Sequence, residues 1–140
     1  MAGIKDLGTL LSSIDPVLDE RSFVFCTFPE FHWDDVHQLN PIGFFHEKEG
    51  LTLIITQQEA INKNINYESV YKLISLNVHS SLDAVGLTAA FSTKLAEKNI
   101  GANVFAAYYH DHIFVPEEKA EQALAAISEF RLQSHPVRLK

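Results

Sequence analysis

Two stretches of this 140-residue chain echo each other, and no other feature constrains the fold as much. Phe44-Phe45-His46-Glu47 returns as Tyr108-Tyr109-His110-Asp111, 64 residues on. Leu53-Ile54-Ile55 with Gln57-Gln58-Glu59-Ala60 returns as Ile113-Phe114-Val115 with Glu117-Glu118-Lys119-Ala120, 60 residues on. Each copy sets an apolar run before a run of helix formers, so each reads as a strand leading into a helix. The difference between the two spacings is assigned to a longer hairpin turn around 48–51. The chain is then two copies of one small α+β unit of about 70 residues, each too small to complete a core alone.

The remaining segments fit around that repeat. Leu7, Leu10, Leu11 and Ile14 recur at helical spacing within Ile4–Ile14, and Asp15-Pro16 ends the helix. Ser22–Phe28 is rich in aromatic and β-branched residues and reads as a strand. Pro29–Pro41 reads as an irregular loop, Phe44–Ile55 as two strands around a polar turn with Gly50, and Gln57–Lys63 as a short helix. In the second half a strand at Val70–Val78 precedes a helix at Val85–Lys98 whose Leu87, Phe91 and Leu95 form one apolar face. Asn99-Ile100-Gly101 is expected to end that helix, with the glycine just past it. Two strands follow within 102–115, then a helix opened by Pro116 and lined by Ala120, Ala123, Leu124, Ile127 and Phe130, with a last strand at 136–139.

Composition removes several classes. Eleven Lys and Arg against eighteen Asp and Glu give a net charge of −7, which argues against nucleic acid as a partner. No apolar run nears the ~18 residues that span a bilayer, and no signal peptide is recognised. The single cysteine, Cys26, rules out an internal disulfide and fits a cytoplasmic location, where it reads as a small buried hydrophobe. There is no glycine-rich phosphate loop and no nucleophile–base set, so no catalytic residue is assigned and no enzyme activity is expected.

Two constellations carry chemistry. In 76–90 a buried strand runs through a polar turn and Gly86 into a helix, whose first N–H groups attract an anion such as a carboxylate. Asp83 would pair with an ammonium group, so one turn would hold both ends of a zwitterion. Ser80 and Asp83 equally fit a capping box, and both roles are compatible. In 108–115, His110 and His112 share one face of a strand and Asp111 faces oppositely. With His79, the two histidines are candidate metal ligands, though His-Asp-His suits a tight turn equally well.

The run 79–124 closely resembles the small bacterial tandem ACT-domain proteins, with weaker likeness at 14–26 and 45–55. The resemblance implies an α+β, ferredoxin-like fold: two ACT-like βαββαβ-type units with antiparallel sheets covered by helices. They are placed at 1–68, a degenerate copy without an obvious first strand, and at 69–140. It also implies a non-enzymatic regulatory module that binds a small molecule, an amino acid, between one unit's turn and a neighbour's strand. Carried onto this chain, the ligand-binding residues are Asp83, Ala84, Val85, Gly86, Leu87 and Asn103, with no cofactor. Exposed sheet edges invite pairing, so a homodimer is expected, and no membrane partner. The alternatives are a small metal-dependent enzyme built on His79, His110 and His112, or an interaction domain without a ligand.

Overall fold

The computed structural model describes residues 6–78, 81 and 84–134. In chain order the elements are α1 (Leu7–Ser13), β1 (Pro16–Phe28), α2 (Trp33–Gln38), β2 (Gly43–His46), β3 (Leu51–Thr56), α3 (Gln57–Asn62), β4 (Tyr71–Leu76), α4 (Leu87–Glu97), β5 (Asn103–Ala106), β6 (Asp111–Pro116) and α5 (Ala120–Ser134). The expected α+β, ferredoxin-like architecture is therefore present. The chain divides into two compact units, residues 20–72 and residues 1–19 with 73–140, where the sequence places the division at 68/69.

The smaller unit carries strands in the order β2-β3-β1, all antiparallel, from Gly43↔Ile54 through Phe28↔Leu51. Val24, Cys26, Leu51, Leu53 and Ile55 alternate along the strands and bury one face under Val36 and Leu39 of the α2 segment and Ala60 of α3. The expected loop at 29–41 therefore contains a helix. Six residues give α2 too little length for a visible period, yet Val36 and Leu39, three apart, share its buried side. The missing first strand is also present: β1 begins at Pro16, and β1 to β4 read β-α-β-β-α-β.

Cys26 lies in this core, its thiol directed at the Leu53 carbonyl at 3.8 Å, and burial pushes the thiol pKa up to about 11. A protonated, enclosed thiol is a poor nucleophile. Iodoacetamide at neutral pH is expected to leave Cys26 unmodified in the native protein and to label it readily in urea. Rapid native labelling, read by mass spectrometry, would contradict this.

The larger unit carries β4-β6-β5, and its core joins Leu10 and Ile14 to Ile74, Leu76, Leu87, Phe91, Leu95, Ile113, Val115, Ile127 and Phe130. Asp6 caps α1 by accepting the Thr9 N–H at 2.9 Å, and α1 packs on α4 and α5. Helix α4 ends at the expected Asn99-Ile100-Gly101 step, with Asn99 rather than the glycine in the left-handed position. The φ of Asn99 is +58°, its N–H donates to Ala96 O and that of Ile100 to Leu95 O, both at 2.9 Å. This paired reverse bonding satisfies the last carbonyls before glycine is reached. The final helix is preceded by one 3-10 turn, Glu117–Lys119, and the expected strand at 136–139 lies outside the described residues.

The repeat is real in structure at the 60-residue spacing of its second part, and the 64-residue echo of its first part is out of register. Gly43↔Ile54 through His46↔Leu51 matches Asn103↔Phe114 through Ala106↔Asp111 at a constant spacing of 60. Both turns have one length and share a closing bond, Glu47 N–H to Gly50 O (2.9 Å) and Ala107 N–H to His110 O (3.1 Å), and the first adds Gly50 N–H to Glu47 O (3.3 Å). The longer first turn expected from the 64-residue echo does not exist. Phe44-Phe45-His46 aligns with Val104-Phe105-Ala106, while Tyr108 and Tyr109 are exposed turn residues.

Candidate functional site

The turn between β4 and α4 is the site the sequence points to. Asp83 and the capping partner Ser80 lie outside the described residues, as does His79. Ala84 is half-buried and its N–H donates to Ser81 O at 3.0 Å, so that group is already engaged. Val85 is 82% exposed. Gly86 caps α4 with a φ of +97°, and a Cβ there would stand 3.1 Å from the Leu7 side chain. The positive φ favours glycine, and a larger residue would also have to displace the Leu7 methyl by a few tenths of an ångström. Leu87 is buried in the core, and the N-cap residue, being glycine, has no side chain of its own to cap the helix. The first N–H groups of α4 therefore keep the character that draws anions to helix starts.

Asn103 is exposed at the first position of β5, opposite Phe114. The hairpin end that meets the close of β4 is the other one: His110 Nδ1–H donates to Val78 O at 3.2 Å, and His112 Nδ1 meets Ser75 Oγ at 2.8 Å. Asn103 therefore lies at the end of the hairpin away from the close of β4.

His110 and His112 do share a face, with ring centroids 6.4 Å apart. A carbonyl only accepts, so His110 carries its proton on Nδ1, leaving Nε2 as its available nitrogen. Burial, and secondarily His110, push the His112 ring below the usual histidine range against the opposing pull of Asp111. Among the described residues no group of three His, Cys, Asp or Glu side chains is arranged to hold a metal ion.

Sequence reasoning missed two features. Trp33, Phe44 and Phe45 are exposed on and beside edge strand β2. Phe31, Trp33, Phe44 and His46 pack there edge-on, the Phe31–His46 pair tilted, with centroids 5.0–6.1 Å apart. The same unit holds a cavity of about 250 Å³ walled by Phe28, Phe31, Val36, Leu39 and Ile65, with Lys63 and Glu30 among its lining residues. The second is Asp111. It is 7% exposed, on the face that Ile113 and Val115 turn into the core, and burial raises its carboxyl pKa against the pull of His112 and then His110.

Two family models, each describing an ACT domain, match residues 2–72 and 68–129. The chain belongs to the ACT-domain family. A crystal structure of a Vibrio cholerae protein of unknown function is 51% identical to this ACT protein. It covers 93% of this chain and 99% of its own, with a TM-score of 0.82. The regulatory subunit of Thermus thermophilus aspartate kinase shares the fold at 14% identity, with a TM-score of 0.59 over 89% of this chain and 99% of that one. Clostridium acetobutylicum aspartate kinase does so at 10% identity and TM-score 0.62, over 86% of this chain and 35% of the enzyme. No protein of curated function matches. None of the described helices is long and apolar enough to cross a membrane.

Proposed function

We propose that this ACT protein is a non-enzymatic regulatory module of the cytoplasm that binds a small zwitterion, an amino acid, at the β4–α4 turn of a homodimer. The observation that carries the reading is the start of α4: a left-handed glycine at the N-cap and a buried Leu87 behind it, in a chain made of two ACT domains. Helix-start N–H groups from Gly86 onward hold the carboxylate. Asp83 contacts the ammonium group, and Asn103 enters from the second copy. Edge strand β2 carries an unpaired row of backbone groups and exposed Phe44 and Phe45, which supports association of two copies. Binding regulates by favouring one arrangement of subunits, which requires unequal affinities for the two.

A thermal-shift screen of the full chain against the proteinogenic amino acids tests this. A ligand at about a hundred times its Kd adds about 2.7 kcal/mol of stability, a shift of several degrees. One amino acid or a related few should produce it, with a dimer in light scattering. No shift from any amino acid at millimolar concentration would remove the reading.

A further inference from the structure

We infer that the N-terminal ACT unit holds a ligand site of its own, the cavity between α2 and the turn after α3, and that it takes a zwitterion with a bulky apolar side chain. This site shares no residue with the β4–α4 turn and does not rest on it; all of its lining lies within residues 20–72. The cavity exists because the covering layer is short. In the C-terminal unit α4 and α5 run for 11 and 15 residues, and Leu87, Phe91, Leu95, Ile127 and Phe130 fill the core beneath them. In the N-terminal unit α2 and α3 have six residues each. Left-handed Asn64 then reverses the chain, and Ile65 N–H donates to Ala60 O at 2.9 Å. That step sets Lys63 and Ile65 in the cavity lining, together with Val36 and Leu39 of the α2 segment and Phe28 at the end of β1. Folding alone would close such a gap with a longer helix or a larger side chain, because apolar walls without partner atoms forfeit burial and dispersion.

Size and lining choose the ligand. A void of about 150 Å³ is enough for benzene, so the 250 Å³ here holds a branched or aromatic side chain with the carbon that bears its charged groups. Val36 and Leu39 are buried in the walls, and Phe28, Phe31 and Ile65 are half-buried. The charged lining residues, Glu30, Asp35 and Lys63, are all exposed, and none has an ion pair or side-chain hydrogen bond among the described residues. Carboxylates and an ammonium group around one apolar cavity match a zwitterion: Lys63 holds the ligand's carboxylate, and Glu30 or Asp35 its ammonium group. An apolar acid meets the repulsion of both carboxylates, and an apolar amine meets that of Lys63.

Trp33 supplies the readout. It is the only tryptophan of the chain, 51% exposed, and its ring meets Phe31 of the cavity wall edge-on with centroids 5.0 Å apart. Its emission in the full chain is titrated with leucine and phenylalanine, with isocaproate and hydrocinnamate, which lack the amine, and with isoamylamine and phenethylamine, which lack the carboxylate. Leucine or phenylalanine should change the emission saturably and bind about tenfold or more tightly than either analogue. Lys63→Gln, and Glu30→Gln combined with Asp35→Asn, should each weaken binding about tenfold while melting as wild type does. Ile65→Phe, which fills the cavity, should abolish the emission change; where it melts well below wild type, the charge variants alone decide. The inference is overturned by no saturable change at millimolar concentration, or by an analogue or charge variant that binds within about threefold. An amino acid that raises the melting temperature of wild type and Ile65→Phe alike, with Trp33 emission unchanged, binds at the β4–α4 turn, so that reading stands and this one fails. A thermal shift lost entirely in Ile65→Phe, with Trp33 responding in wild type, decides the other way.

Discussion

Leu10→Ala is expected to lower the unfolding free energy by about 2–5 kcal/mol, and a fragment of residues 69–140 should fail to unfold cooperatively. Leu10 and Ile14 are fully buried, and their neighbours in the core are Ile74, Leu87, Phe91, Ile113 and Phe130 of the second ACT domain. Alanine at Leu10 leaves a cavity in rigid packing between α1, α4 and α5. The fragment lacks both side chains and exposes the apolar surface they cover. It also loses Asp15, whose carbonyl accepts the Asn77 N–H at 3.0 Å. Urea titrations of the variant and the fragment beside the full chain check this. A fragment with a sharp transition near the full-length midpoint would show that α1 is not part of that core. The family matches at 2–72 and 68–129 describe the line of descent, while residues 1–19 belong physically with 73–140.

Legibility followed how strongly each element's own residues declare it. The helix at Leu87–Glu97 was plain because Leu87, Phe91 and Leu95 are all buried at one spacing. Strand β1 was seen only from Ser22, since Asp19, Glu20 and Arg21 interrupt any apolar pattern in its first half. Helix α2 hides behind its exposed Asp34, Asp35 and His37. The repeat misled through likeness of the wrong kind. Phe44-Phe45-His46 and Tyr108-Tyr109-His110 match as aromatics and histidine, but one triplet is strand and the other turn. Register is fixed by the backbone ladder and buried alternation, not by resemblance of exposed rings. Aligned at the constant spacing of 60, the sequence would have set Asp111 against Leu51 without a structure. Read instead as a companion to two histidines, that carboxylate looked like turn chemistry. Of the candidate site, Gly86 and Leu87 were legible from the strand–glycine–helix pattern. The position of Asn103 at the hairpin end away from the close of β4 was not, because strand pairing decides it.

The mirror substitution measures what a buried carboxylate costs on this scaffold. Leu51→Asp is expected to destabilise the protein by about 3–5 kcal/mol at neutral pH. Leu51 is 1% exposed and its neighbours Val24, Val36, Leu39 and Leu53 offer no hydrogen bond from a side chain. The deficit should shrink on acidification. A carboxyl buried there is held above its ordinary range, so the folded state binds the proton more readily than the unfolded chain. Stability relative to wild type therefore rises as pH falls through the folded carboxyl's range, and is lost as pH rises through it. Asp111 in the wild type acts in the same direction but is moderated by His112 and His110, which oppose the effect of burial. Its contribution to the pH dependence should be shallower, and absent in Asp111→Leu. Urea midpoints of the three proteins at acid and neutral pH supply the comparison. A Leu51→Asp cost below about 1 kcal/mol would mean that either hairpin accepts a carboxylate freely.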